Sequence, residues 1–61
     1  MQDFLFDLQK LVEISNEVKK DWTQLSETDK ETIRKSGYPF SEDYPIINEK
    51  ITQWYKTVSN K

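Results

Sequence analysis

Hydrophobic positions recur at helical spacing through the first third of the chain. From Phe4 to Leu25 they follow one another at intervals of three and four residues, which places them on one side of an α-helix. Acidic residues begin this segment and Lys19 and Lys20 come near its end, an order that suits the helix dipole. The pattern predicts a helix over residues 3–24. Its stripe comprises Phe4, Leu8, Leu11, Ser15, Val18, Trp22 and Leu25, widened by Leu5, Val12 and Ile14.

A second, shorter helix is predicted over residues 27–36. Ser26 and Thr28 are both suitable N-caps, and Thr28 with Glu31 has the spacing of a capping box. Gly37 follows the segment at the place where helices commonly end in a left-handed residue. The apolar side of this helix is little more than Ile33, so we expect it to depend on its neighbours.

An aromatic, proline-marked connector leads to the third helix. Proline restricts the residue before it, so Tyr44 is expected outside the helix and Pro45 at its first position. Helical spacing then predicts a helix over residues 45–59, with an apolar face of Tyr44, Ile47, Ile51, Trp54, Tyr55 and Val58.

These three segments predict one all-α domain over residues 1–61. The expected architecture is a small three-helix bundle with a long N-terminal helix, a short middle helix and a C-terminal helix. We expect Trp22 and Trp54 to share one small core, because aromatic side chains supply much of the apolar area in a chain of 61 residues.

Composition argues against catalysis. The chain has no cysteine, no histidine and a single glycine, which removes most activated nucleophiles, the usual zinc ligands and phosphate-binding glycine loops. Carboxylates four residues apart, such as Glu13 and Glu17, are expected on solvated helix faces. We therefore predict a protein that is not an enzyme and has no cofactor or metal. The acidic residues Glu42, Asp43 and Glu49 are expected to favour the start of the last helix rather than bind a cation.

Charge and hydropathy also limit the partners. The net charge is −2, so there is no general attraction to nucleic acid, and no apolar run is long enough for a bilayer. The first residues carry acid where a secretory signal would carry base, and we expect a cytoplasmic protein without a membrane. A nucleic-acid contact through Lys30, Arg34 and Lys35 is the remaining alternative, although acidic residues lie among them.

Four apolar residues lie away from the predicted core stripes. Phe6 and Ile46 point well away from the apolar sides of their helices, and Tyr38 and Phe40 lie in the polar connector. One interpretation places Phe6 in an irregular N-terminus and folds Tyr38 and Phe40 into a satellite core. The other makes these residues an exposed patch that binds a partner.

The second interpretation gives the functional hypothesis. It is a small non-catalytic protein-binding module, such as an adaptor, an inhibitor or a regulatory subunit, acting through an exposed apolar and aromatic patch. The partner would be another protein or a second copy of the chain. The alternatives are a self-associating structural protein and a weak nucleic-acid-binding domain.

Overall fold

Three helices account for most of the chain. A computed structural model describes residues 1–60, with α1 at Gln2–Thr23, α2 at Glu27–Lys35 and α3 at Tyr44–Ser59. The predicted all-α fold is confirmed, with a long first helix, a short middle helix and a C-terminal helix. Within the part of the chain that the structure describes, no helix is long and apolar enough to cross a membrane.

The main packing is between α1 and α3, which lie antiparallel. Phe4, near the start of α1, contacts Trp54, near the end of α3. Ser15 in the middle of α1 bonds to Asn48 in the first half of α3. Helix α2 has few close backbone approaches to either long helix. The result is an elongated molecule of 41 × 19 × 16 Å.

The boundaries of α2 follow from its flanking residues. Ser26 is the N-cap, and its hydroxyl oxygen accepts a hydrogen bond from the Asp29 backbone N–H at 3.1 Å. Thr28 instead lies inside the helix, so of the two predicted caps Ser26 is the one used. At the other end, Gly37 has a φ of 87°, the left-handed conformation that glycine adopts without strain.

Helix α3 begins one residue earlier than predicted. Tyr44 is its first residue, with Asp43 at the N-cap and Pro45 in the first turn. Pro45 is tolerated in this turn because the N–H that proline lacks is one of the first-turn donors that have no partner within the helix. Asp43 has an extended backbone but makes no side-chain cap, since its carboxylate bonds elsewhere.

The buried core contains fewer residues than the apolar stripe on α1 predicts. Leu8 and Trp22 are the buried large apolar side chains among residues 1–60, and Ser15 lies between them at intervals of seven residues. The expectation that Trp22 and Trp54 share one core is wrong. Trp22 is 5% exposed and Trp54 is 49% exposed, and the antiparallel pairing places them near opposite ends of the helix pair, roughly 27 Å apart along α1.

Candidate binding surface

One side of the α1–α3 pair is apolar and uncovered. We call this surface the open face. Its residues have between 40% and 63% of their surface exposed, although each belongs to a predicted apolar stripe. They are Phe4, Leu11, Ile14 and Val18 of α1 and Trp54 of α3.

Helix geometry and two contacts place these residues on the same side. At 100° per residue, the four α1 side chains lie within about 80° of one another, beside the buried line of Leu8. Phe4 meets Trp54 edge to face, with ring centroids 5.9 Å apart. Val18 and Tyr44, the first residue of α3, line the same pocket at the other end of this side. The far side of α1 is polar, with Gln9 and Asn16 exposed.

The open face ends in an apolar pocket beside α2. This pocket has a volume of about 400 Å³ and lies where α1, α2 and the connector meet. Its apolar lining would suit a hydrophobic side chain from a partner, because such pockets bind through exclusion of water. It is lined by Val18, Asp21, Trp22, Leu25, Ile33, Tyr38, Phe40 and Tyr44.

Aromatic rings form the wall of this pocket. Tyr38 packs on Trp22 with centroids 5.7 Å apart, and Phe40 meets Tyr38 edge to face at 5.3 Å and Tyr44 at 6.4 Å. The Tyr38 hydroxyl donates to the Glu42 carbonyl oxygen at 2.6 Å, and burial raises the pKa of that hydroxyl above its usual value. The connector is therefore an ordered aromatic wall.

A bidentate ion pair joins α2 to the start of α3. The Arg34 Nε and Nη2 atoms donate to the two Asp43 carboxylate oxygens at 3.0 and 2.9 Å. The same guanidinium lies over the Trp22 ring, 5.9 Å from its centroid. Hydrogen bonding from Arg34 lowers the pKa of Asp43 and, reciprocally, raises the pKa of Arg34. This pair helps to hold α2 against the pocket.

The Asp43 ion pair predicts a loss of stability in acid. A carboxyl whose folded pKa is lowered stabilises the fold above its ordinary pKa of about 4, and that contribution is lost as the pH falls towards the folded value. Asp43→Asn should therefore have lower stability at neutral pH and a weaker decline below about pH 4 than the wild type. Urea denaturation at several pH values checks this. Glu13→Gln, which removes an exposed carboxylate, is the control and should keep the wild-type decline; a D43N profile parallel to the wild type would contradict the prediction.

A buried polar cluster lies at the centre of the helix interface. Ser15 is 1% exposed and Asn48 is 6% exposed. The Ser15 hydroxyl donates to Asn48 Oδ1 at 2.6 Å and accepts a hydrogen bond from the Tyr44 hydroxyl at 2.9 Å. Ser15 thus bonds across to α3 rather than back to its own helix. Because buried polar groups need partners, this cluster favours one register between α1 and α3.

The structure brings together two of the four predicted patch residues. Tyr38 and Phe40 touch and both line the apolar pocket. Phe6 and Ile46 are exposed, each two residues from a buried position and therefore roughly 160° round its helix. Lys10 lies over the Phe6 ring at 4.3 Å, and Ile46 lines a second concavity of about 500 Å³ on α3 together with Trp54 of the open face. These two residues lie apart from the pocket and from each other.

The basic residues of α2 mostly have acidic partners. Lys30 lies 3.5 Å from Glu27, and Arg34 pairs with Asp43 and lies 3.9 Å from Glu31. Lys35 is exposed. The ion pairs reduce the positive potential that a phosphate backbone would meet on this helix.

The acidic residues before and within α3 are dispersed. Glu42 pairs with Lys50, and Asp43 pairs with Arg34, so neither caps α3 with its side chain as the sequence suggested. Glu49 is exposed on α3. Across residues 1–60, no group of three acidic, histidine or cysteine side chains is arranged to hold a metal ion.

Sequence reasoning missed the open face because its residues share the periodicity of the core. Leu11, Ile14 and Val18 were assigned to the buried stripe by their spacing. The width of that stripe could have indicated an exposed apolar surface, because one partner helix covers only part of a stripe this broad. Neither a known protein family, a curated protein nor a solved structure matches this chain.

Proposed function

We propose that this chain is a small non-catalytic protein-binding module that binds another polypeptide through the open face and the apolar pocket. An adaptor, an inhibitor or a regulatory subunit would each act in this way. The observation that carries the proposal is the row of exposed apolar side chains on one side of the α1–α3 pair. Large apolar patches on small folded proteins commonly mark sites of association.

The form of the surface favours a helical or extended polypeptide as its ligand. A partner lying along α1 would contact Leu11, Ile14 and Val18 in turn, and a bulky apolar side chain could enter the pocket between Phe40 and Tyr44. Aromatic residues in an ordered wall make suitable anchors because little side-chain entropy is lost on binding.

Two further considerations support a binding role. The exposed carboxylates that composition offers for acid–base chemistry, such as Glu13 and Glu17, lie on the surface of α1, whereas carboxylate pairs that act in catalysis lie in clefts that exclude water. A chain without cysteine also needs no oxidising compartment, so we place its partner in the cytosol.

A matched pair of variants tests the proposal. Leu11→Lys puts a charge in the open face, and Gln9→Lys puts the same charge on the polar side of α1, two residues away. Tagged forms of the wild type and both variants are used to recover bound polypeptides from native cells that also produce the untagged chain, and the recovered chains are quantified by mass spectrometry. We expect the wild type and Q9K to retain the same polypeptide and L11K to lose it by at least tenfold, as burial of an unpaired charge would require.

Two outcomes would contradict the proposal. One is a set of recovered polypeptides that L11K retains as well as Q9K does. The other is recovery of no polypeptide at all, including the untagged chain. Circular dichroism of each purified variant verifies that the helices are intact in every form compared.

A further inference from the structure

We infer that the polypeptide on the open face is a second copy of this chain, so that two α1–α3 pairs stack into a four-helix core. This inference rests on the proposed function, because it names the partner that the open face binds. It follows from the size of the core, the exposed area and the distribution of charge.

The core within one copy is small for a chain that must fold alone. Leu8 and Trp22 are its buried large apolar side chains among residues 1–60. A fold of this size has a thin margin of stability, which a disulfide, a metal or another chain commonly increases, and this chain has no cysteine. A chain that depends on a partner from synthesis onward is most simply served by a copy of itself, which is always present.

The chain exposes more surface than a compact monomer of its mass would, by an amount comparable to what one partner buries in a dimer. The chain exposes 4784 Å², whereas a compact monomer of 7.3 kDa would expose about 4,200 Å². The excess of about 600 Å² is close to the roughly 800 Å² that each partner buries in a standard interface. The radius of gyration, 13.3 Å, likewise exceeds the value of about 10.5 Å for a compact domain of this length.

The open face takes apolar side chains from both helices. On α1 they extend from Phe4 to Val18, about 21 Å, and on α3 the exposed member is Trp54, which lies at the Phe4 end of α1. A two-fold axis, the commonest symmetry of homodimers, can place the open face of α1 in one copy against Trp54 of the other, and the reverse. Four-helix bundles are built from pairs stacked in this way.

Charge favours this arrangement over the alternative. Helix α1 carries five acids and three bases, a net charge of −2, and α3 carries one acid and two bases, a net charge of +1. Asp7 lies within the open-face sector of α1 and Asp21 lies beside it, so antiparallel stacking of α1 on α1 would bring like charges together. Stacking α1 on the α3 of the other copy avoids this repulsion, because the one carboxylate of α3, Glu49, is about 140° round the helix from Trp54.

Sedimentation equilibrium over a hundredfold range of concentration tests the inference on the purified full chain. Ile14→Glu adds a charge at a side chain that is 63% exposed in one copy, and Asn16→Glu adds the same charge on the opposite side of the same turn. We expect the wild type and N16E to sediment at twice the mass of the chain, and I14E to have a dissociation constant raised roughly thirtyfold or more.

Tryptophan emission gives a second, independent measurement. Association should cover Trp54 and shift its emission to shorter wavelength as the concentration rises, whereas Trp22 is already buried. The shift should disappear in Trp54→Phe. This measurement does not depend on how well I14E folds.

A folded wild type that stays monomeric over the whole range would overturn the inference, as would dissociation of N16E to the same extent as I14E. If a monomeric wild type still recovers a different polypeptide that L11K loses, the proposed function stands and only the second copy is wrong. If it recovers none, both are wrong.

Discussion

Replacement of Trp22 by alanine is expected to remove a large part of the chain's free energy of unfolding. Trp22 is 5% exposed and packs against Tyr38 and beneath the Arg34 guanidinium, so its removal empties the core at the end of α1 where α2 and the connector attach. Truncation of a buried tryptophan costs about 3–5 kcal/mol. A chain of this length has roughly 3–9 kcal/mol of stability in total.

Far-UV circular dichroism with urea denaturation checks this prediction. Phe6→Ala is the matched control, since it removes an aromatic ring from the same helix at an exposed position and should change the free energy of unfolding by about 0.5 kcal/mol or less. A Trp22→Ala protein with the wild-type midpoint would show that the core lies elsewhere.

Replacement of Asn48 by alanine is expected to cost about 2–3 kcal/mol. The change removes the acceptor of the Ser15 hydroxyl at a buried position, leaving a polar group without its partner and a small cavity. Urea denaturation of N48A measures the loss. For the present chain this is a large part of the total stability.

A double-mutant cycle separates the hydrogen bond from the cavity. Ser15→Ala alone removes the donor to Asn48 and the acceptor of the Tyr44 hydroxyl, and the combined Ser15→Ala/Asn48→Ala variant removes both members of the pair. We expect the combined loss to be smaller than the two single losses together by about 0.5–3 kcal/mol, because the residues share one network. Additive losses would mean that the two groups act independently.

The number, order and extent of the helices could be predicted from the sequence. The pattern predicts helices over residues 3–24, 27–36 and 45–59, and each observed end lies within one residue of the predicted one. Gly37 ended α2 as expected because the left-handed conformation is a local preference of glycine. Local signals of this kind depend on neighbours along the chain and need no tertiary information.

The candidate site was predicted less completely. Tyr38 and Phe40 were recognised by their aromatic side chains in a polar connector, and the structure brings them together. The angle of Phe6 and of Ile46 on their helices correctly predicts that both side chains are exposed. It does not predict whether they lie close to each other or to Tyr38 and Phe40. The sequence shows one polar residue on the apolar side of each long helix, Ser15 on α1 and Asn48 on α3. It does not show that they bond to each other, because that depends on the register of α1 against α3.

The sequence by itself therefore determined which residues are helical and which side of each helix is apolar, since both follow from spacing, capping and backbone preference. Tertiary structure alone decided which apolar residues are covered. Leu8 and Leu11 have equivalent positions in the pattern, yet Leu8 is buried by α3 and Leu11 is exposed. Burial depends on the width, position and orientation of the neighbouring helix, and the short α2 covers only one end of the pair. Because α2 covers only the end of the pair where Trp22 lies, Trp22 is buried whereas Trp54 and the open face remain exposed.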